Sequence, residues 1–256
     1  MNVKTLIESN PKFNREPLDI ESSFGEILNV SEFFYDTIQG ENFIGYPTAF
    51  LRLQGCTLDC DWCDTEAVWR EGNPYSFDEL FTLMEPNLIN KFNEGQHLIL
   101  TGGSPLKQQF QLIMFLRKFQ KKYGFLPFIE IENECTIMPS SQISSFIYRW
   151  NNSPKLSNSK NSVHARYKPK VLKTLSSFDD SWFKFVITCP EDWEEIQMDF
   201  LDPSLIKKDQ IVLMPEGATR IEIEKNREMV VDMAIKHNVR YSTREHIILW
   251  DHRTGV

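Results

Sequence analysis

The sequence predicts an α/β fold built on a mainly parallel sheet, and three observations predict it. Strand-like and helix-like segments alternate through most of the 256 residues, the pattern of a parallel sheet with helices outside it. Four chemically conspicuous segments each end a strand-like run. They are three clustered cysteines after 48–53, Gly102-Gly103 after 97–101, Glu132 at the end of 128–132, and Met214-Pro215-Glu216-Gly217 at the end of 210–214. Such sheets carry ligand sites at the carboxyl ends of their strands, so this one fold would bring all four segments to one site. The third observation is composition: 41% hydrophobic and 25% charged residues are ordinary for a globular chain long enough to bury a sizeable core.

The elements follow in order. Residues 1–23 are polar, carry Pro11 and Pro17, and are expected to form a loosely held extension, with a single domain over 24–256. From Gly25 a strand-like run leads to a loop at 37–45, and the apolar 48–53 (T-A-F-L-R-L) is a strand. Over 76–92, Ser76 followed three residues later by Glu79 starts a helix that Pro86 breaks or kinks. The run 97–101 is a buried strand. A helix over 105–123 carries Leu106, Phe110, Ile113 and Leu116 on one face. A strand at 128–132 and a helix at 140–150 come next. The Asn-, Ser- and Lys-rich 151–170 looks least structured and is expected to be an insertion or lid. The remainder reads as strand 182–188, helix 191–200, strand 210–214, helix 218–237 and strand 246–250. No internal repeat is visible.

Net charge is −8 and the isoelectric point about 5.3, so bulk electrostatics give no support for nucleic-acid binding. No apolar run is long enough to span a bilayer and no signal-peptide pattern opens residues 1–17. No membrane partner is expected, and a cytoplasmic location is. A reducing compartment favours metal ligation over disulfides.

The chemistry is concentrated at 52–65, R-L-Q-G-C-T-L-D-C-D-W-C-D-T, where Cys56, Cys60 and Cys63 fall within eight residues. Three thiolates on one loop favour zinc or an iron–sulfur cluster. A closed structural zinc site wants four ligands, whereas three leave one iron of a [4Fe–4S] cluster open. The plainer alternatives are a zinc knuckle that borrows a distant His, or buried thiols. Cys135 and Cys189 stand alone and read as small buried side chains. Arg52 in an apolar strand is costly to bury unpaired, so a partner is expected, a structural Asp or Glu. Thr65 after Asp64 reads as a turn cap.

The spacing of the cysteines, with Trp62 before the third, resembles the radical S-adenosylmethionine (SAM) superfamily, and T-G-G-S-P-L at 101–106 resembles its T-G-G-E-P-like segment. The resemblance sharpens to the 7-carboxy-7-deazaguanine synthase family. It is carried by S-E-F-F-Y-D-T-I-Q-G-E, G-Y-P-T-A-F-L-R-L-Q-G-C, C-D-W-C-D-T, S-P-K at 153–155, L-M-P-E-G and the terminal I-L-W-x3-T-G-V, in order over 31–256. It implies a partial, open βα barrel of the radical SAM type. It also implies a lyase of queuosine-type 7-deazapurine biosynthesis that uses a [4Fe–4S] cluster, SAM and Mg²⁺. In that reaction a 5′-deoxyadenosyl radical takes a hydrogen from C6 of 6-carboxy-5,6,7,8-tetrahydropterin, and ring contraction with loss of ammonia gives 7-carboxy-7-deazaguanine.

By position the resemblance implies cluster ligation by Cys56, Cys60 and Cys63, and a magnesium contact at Thr65. Ile38, Gln39, Gly40, Arg52, Thr101 and the terminal Val256 would meet substrate. Gly103, Ser104, Glu132, Ser153, Lys155, Met214, Pro215, Glu216 and Gly217 would line SAM. Implied partners are an electron donor such as flavodoxin or ferredoxin and a second copy in a homodimer. Two departures stand out. Ser104 occupies the place of the family's usual Glu, which contacts the methionyl group of SAM, and E-N-E-C-T at 132–136 replaces E-T-N-G-T. The competing readings are a radical SAM activase that makes a glycyl radical on a partner protein and a non-catalytic zinc-binding module.

Overall fold

The computed structural model describes residues 3–8 and 25–251. Its strands are β1 (Lys4–Ile7), β2 (Ile27–Ile38), β3 (Pro47–Leu53), β4 (Asn73–Ser76), β5 (His97–Gly102), β6 (Ile129–Asn133), β7 (Arg149–Asn152), β8 (Ser181–Ile187), β9 (Ile211–Pro215) and β10 (Arg240–Tyr241). They form one sheet in the order β1-β2-β3-β5-β6-β7-β8-β9-β10, with β4 paired to β2. From β3 to β10 every pairing along this path is parallel, and β1, β2 and β4 add antiparallel pairings at one end. The two outermost strands do not pair with each other among the described residues. The fold is thus the expected α/β one, a mainly parallel sheet that does not close.

Strand alternation sorts the side chains into two faces. Ala49, Leu51 and Leu53 of β3, Leu98 and Leu100 of β5, Ile129 and Ile131 of β6, and Phe183, Phe185 and Ile187 of β8 all join the buried apolar core. Helices cover that face. Phe77, Phe81 and Phe115 meet there, with ring centroids 5.5 Å apart for Phe77–Phe115 and 5.2 Å for Phe81–Phe115. The intervening positions, among them Phe50, Arg52, Thr101, Glu132, Asn151, Lys184 and Met214, line a cavity on the opposite face. One period-2 pattern therefore builds the core and the site together.

Local signals held where their chemistry was explicit. Ser76 and Glu79 form a reciprocal capping box on the helix Phe77–Met84, and Pro86 separates it from the helix Asn87–Asn93. Among the described residues no helix is long and apolar enough to cross a membrane.

Other expectations are corrected. The helix expected at 140–150 is confined to Ser141–Ser144, capped by Ser140, and the chain then extends into β7 between β6 and β8. Serines favour caps over helix interiors, and the aromatic and branched residues that follow suit a strand. The strand expected at 246–250 is part of a helix, Glu245–Trp250, with Ile247 buried; a five-residue apolar run has no period that separates the two. Phe110 is 66% exposed, because Pro105–Gln108 is a 3₁₀ turn ahead of the α-helix Gln109–Tyr123. A 3₁₀ turn advances by about 120° per residue, so Phe110 turns out to solvent while Leu106 stays in the core with Ile113 and Leu116. Within 1–23, Lys4–Ile7 is an edge strand on β2 rather than a loose arm. Within 151–170, β7 ends at Asn152, the helix Val163–Arg166 forms, and the helix Pro169–Ser176 begins.

Candidate active site

The cysteine loop leaves the end of β3 and lies flush against the end of β5. Gly102 has φ +146°, and a Cβ there would fall 2.3 Å from the Leu53 carbonyl oxygen. A Cβ on Gly103 would fall 2.4 Å from the Cys56 Cβ and 2.6 Å from the Gly55 oxygen. All three distances are far inside van der Waals contact, so only glycine fits at this seam. The Ser104 amide closes it by donating to the Gly55 carbonyl at 2.8 Å.

Cys56, Cys60 and Cys63 are half-buried and face the cavity. Each sulfur accepts hydrogen bonds. Leu58 N (3.4 Å) and Ser104 Oγ (3.6 Å) donate to Cys56, Asn161 Nδ2 (3.3 Å) to Cys60, and Trp69 Nε1 (3.4 Å) to Cys63. Donors aimed at sulfur stabilise thiolate and tune an iron–sulfur centre. Burial pushes the Cys60 thiol up, against the pull of Lys155 and Asn161. The 151–170 stretch grips this loop. Asp61 N donates to Ser159 O (3.1 Å), Asp59 N to Asn161 Oδ1 (3.0 Å) and Trp62 Nε1 to Asn158 Oδ1 (3.2 Å). Three thiols around one cavity, each with a hydrogen-bond donor, are a donor set that fits an iron–sulfur cluster.

A polar row crosses the sheet beside the loop. Glu32, Arg52 and Thr101 are neighbours in register on β2, β3 and β5. Arg52 Nε donates to Glu32 Oε2 at 2.9 Å, and Thr101 Oγ1 to Glu132 Oε2 at 2.8 Å. Arg52 thus has the structural carboxylate partner expected of a buried Arg, and its two Nη groups remain without a hydrogen bond to the described residues.

A second charged group lies across the cavity. Glu41 pairs with Lys184 and stands 3.9 Å from Arg244 Nε; Arg244 pairs with Asp64 and donates from Nη1 to Gly217 O at 2.8 Å. Burial alone would raise the Glu41 carboxyl, but Lys184 and Arg244 beside it hold it down at about 2. Asp64 behaves likewise: Arg244 overcomes burial and holds it at about 2. Burial and the neighbouring Glu41 raise Glu132, and burial with Arg244 lowers His246 to about 4.

The cavity is lined by every site residue expected from the sequence except two. Ser104, expected to line SAM, is only 1% exposed and turns its hydroxyl to Thr57 and Cys56 instead. Val256 lies outside the described residues. Thr65 lines the cavity and makes no side-chain cap; its hydroxyl is 3.8 Å from Cys63 Sγ. The sequence reading missed Glu41, Asp64, Lys184, Arg244 and His246 as lining residues, whereas Glu134 stands out in the sequence as a departure within 132–136. Two of these carried a signal: Glu41 closes the I-Q-G-E segment, and Lys184 interrupts an apolar strand. His246 was hidden by the strand assignment at 246–250, and nothing local marked Arg244.

Glu41 yields a pH prediction. Its folded pKa lies below the ordinary value of 4.5, at about 2, so its stabilisation is present above 4.5 and fades as pH falls toward 2. The size is on the order of 3 kcal/mol at neutral pH. Glu41→Gln should lower unfolding free energy at pH 7 by that order, and the gap to wild type should close on acidification through this window. Urea unfolding of both proteins across pH measures it; a gap independent of pH contradicts the assignment.

Comparison with known proteins agrees with this geometry. A family described as "4Fe-4S single cluster domain" matches residues 42–131, which include all three clustered cysteines. The 7-carboxy-7-deazaguanine synthase of Halobacterium salinarum is 28% identical over 250 residues, covering 89% of this chain and 92% of that protein. The synthase of Pyrobaculum aerophilum is 27% identical, covering 86% of this chain and 94% of its own. In fold, the crystal structure of QueE from Escherichia coli matches with a TM-score of 0.64 at 21% identity, covering 91% of this chain and 100% of that one. Along most of its length this chain is similar to the 7-carboxy-7-deazaguanine synthases, as its motifs implied.

Proposed function

We propose that this chain is a radical SAM lyase that converts 6-carboxy-5,6,7,8-tetrahydropterin to 7-carboxy-7-deazaguanine with loss of ammonia. The observation that carries the reading is the meeting, in one cavity, of three donor-supplied cysteines with the Arg52–Thr101–Glu132 row. A glycyl-radical activase would share the cysteines and Thr101 but has no need of Arg52, a zinc module needs none of the row, and the relatives favour neither.

When bound, the cluster and SAM supply the hydrogen-abstracting radical chemistry. Cys56, Cys60 and Cys63 would hold three irons and leave the fourth open. Gly103, Glu132, Ser153, Lys155, Met214, Pro215, Glu216 and Gly217 surround the space for SAM. Lys155 Nζ is held by Ser153 Oγ at 2.8 Å and lies 5.3 Å over the Trp62 ring, a cation fixed beside the loop. For the substrate, the Nη pair of Arg52, without a hydrogen bond to the described residues, offers a planar fork to a carboxylate. Gln39 is 1% exposed and its Nε2 has no partner among the described residues, so a pterin acceptor would relieve a buried donor. Ile38, Gly40 and Thr101 complete that wall. The Thr65 hydroxyl, free of any capping duty, is a suitable hard ligand for Mg²⁺, which fills the rest of its octahedron with water and substrate.

The wider reading is a cytoplasmic homodimer that receives its electron from a small redox protein such as flavodoxin or ferredoxin. A single domain spans 24–256, with 1–23 as an extension and 151–170 as an insertion or lid.

An anaerobic assay with reconstituted protein, SAM, reductant, Mg²⁺ and 6-carboxytetrahydropterin, read by mass, should give both 5′-deoxyadenosine and 7-carboxy-7-deazaguanine. Formation of 5′-deoxyadenosine alone keeps the radical SAM core and rejects the substrate. Arg52→Ala should weaken substrate binding about 10- to 100-fold while SAM cleavage persists; unchanged substrate affinity removes Arg52 from the substrate wall.

A further inference from the structure

Glu134 is an ionisable side chain in the cavity to which no role above has been given. It follows β6, is 4% exposed, and lines the cavity beside the cysteine loop. The backbone presents it firmly. Cys135 takes a left-handed φ of +66°, and its amide donates to Asn133 Oδ1 at 2.8 Å. One carboxylate oxygen is satisfied: Oε1 accepts from Thr57 Oγ1 at 3.0 Å and from Thr136 Oγ1. The other, Oε2, is buried and has no hydrogen-bond partner among the described residues.

A buried carboxylate oxygen without a donor is costly, and a ligand that brings a charged donor recovers that cost. Position narrows the ligand. Thr57 Oγ1 also lies 3.1 Å from Ser104 Oγ, which in turn is 3.6 Å from Cys56 Sγ. Glu134 is therefore linked to the first cysteine through two hydroxyls. The other nearby candidate, Glu132, already has Oε2 bonded to Thr101 on the polar row. Ser104 does not line the cavity and brings no charge. On the SAM reading given above, which this inference rests on, the cofactor's methionyl end carries one ammonium, a charged donor to be met beside the cluster.

We propose that Glu134 is the residue that receives the α-ammonium of SAM in this chain, through Oε2, while Thr57 and Thr136 hold Oε1. The carboxylate absent from position 104 is thereby supplied from the end of the next strand, across Thr57. Ser104 keeps a positioning part, as donor to the Cys56 sulfur and neighbour of Thr57.

The test is anaerobic equilibrium binding of SAM and of its desamino analogue to cluster-reconstituted protein. Glu134→Gln, an isosteric change, should weaken SAM about 10- to 100-fold and leave the desamino analogue within about twofold of wild type. Glu134→Asp, which keeps the charge and shortens the reach, should show a smaller loss with the same selectivity. It carries the test if the Gln variant loads no cluster. Equal loss of both ligands makes Glu134 a mere buttress of Thr57 and overturns the inference. So does wild-type SAM affinity in both variants. If the wild-type holoprotein binds no SAM at all, the functional reading above falls and takes this inference with it.

Discussion

The structure depends on a contact that leaves no room for a side chain. Gly102 and Gly103 lie against the backbone of Leu53, Gly55 and Cys56 at distances where any Cβ would clash. That seam joins the end of β5 to the loop that leaves β3, so the cysteines are fixed to the sheet's carboxyl edge. Ser104 then reaches the Cys56 sulfur and Thr57, and Glu134 meets the same threonine from β6. A residue type commonly assigned to ligand approach thus has a prior, internal duty. The ligand can come close because the protein already has.

The inner face of the sheet carries the complementary constraint. Glu32 with Arg52, Glu41 with Lys184, and Asp64 with Arg244 are ion pairs largely withdrawn from water. Desolvation offsets part of their attraction, and removal of one partner leaves a buried charge uncompensated, so such pairs hold the geometry of the cavity. Stability comes from the other face, where alternate residues of the same strands pack against aromatic helices. The separation lets the cavity hold charge in fixed positions without weakening the core.

Much of this was legible in the sequence because the signals were local. Eight residues carry the cysteines, short apolar runs mark β3, β5 and β8, and Ser76 with Glu79 writes its own cap. What escaped was non-local or a matter of phase. Lys184 finds Glu41 across 143 positions and Arg244 finds Asp64 across 180, and no short pattern encodes such a pairing. Phe110 left the core because a 3₁₀ turn shifted the register of the helix after it. The apolar run at 246–250 carries strand-forming residues, yet it turned helical beyond the two-residue strand β10. Ser104 and Glu134 each stood out as unfamiliar residues, but only their shared contact with Thr57 shows them to be one arrangement.

The most direct test of the account is the electron paramagnetic resonance spectrum of the reduced, anaerobically reconstituted protein, taken with and without SAM and alongside iron and sulfide analysis. The account predicts about four iron and four sulfide per chain and a cluster signal that changes when SAM is added, since one iron has no protein ligand. A single zinc per chain, or an iron–sulfur signal indifferent to SAM, would contradict it.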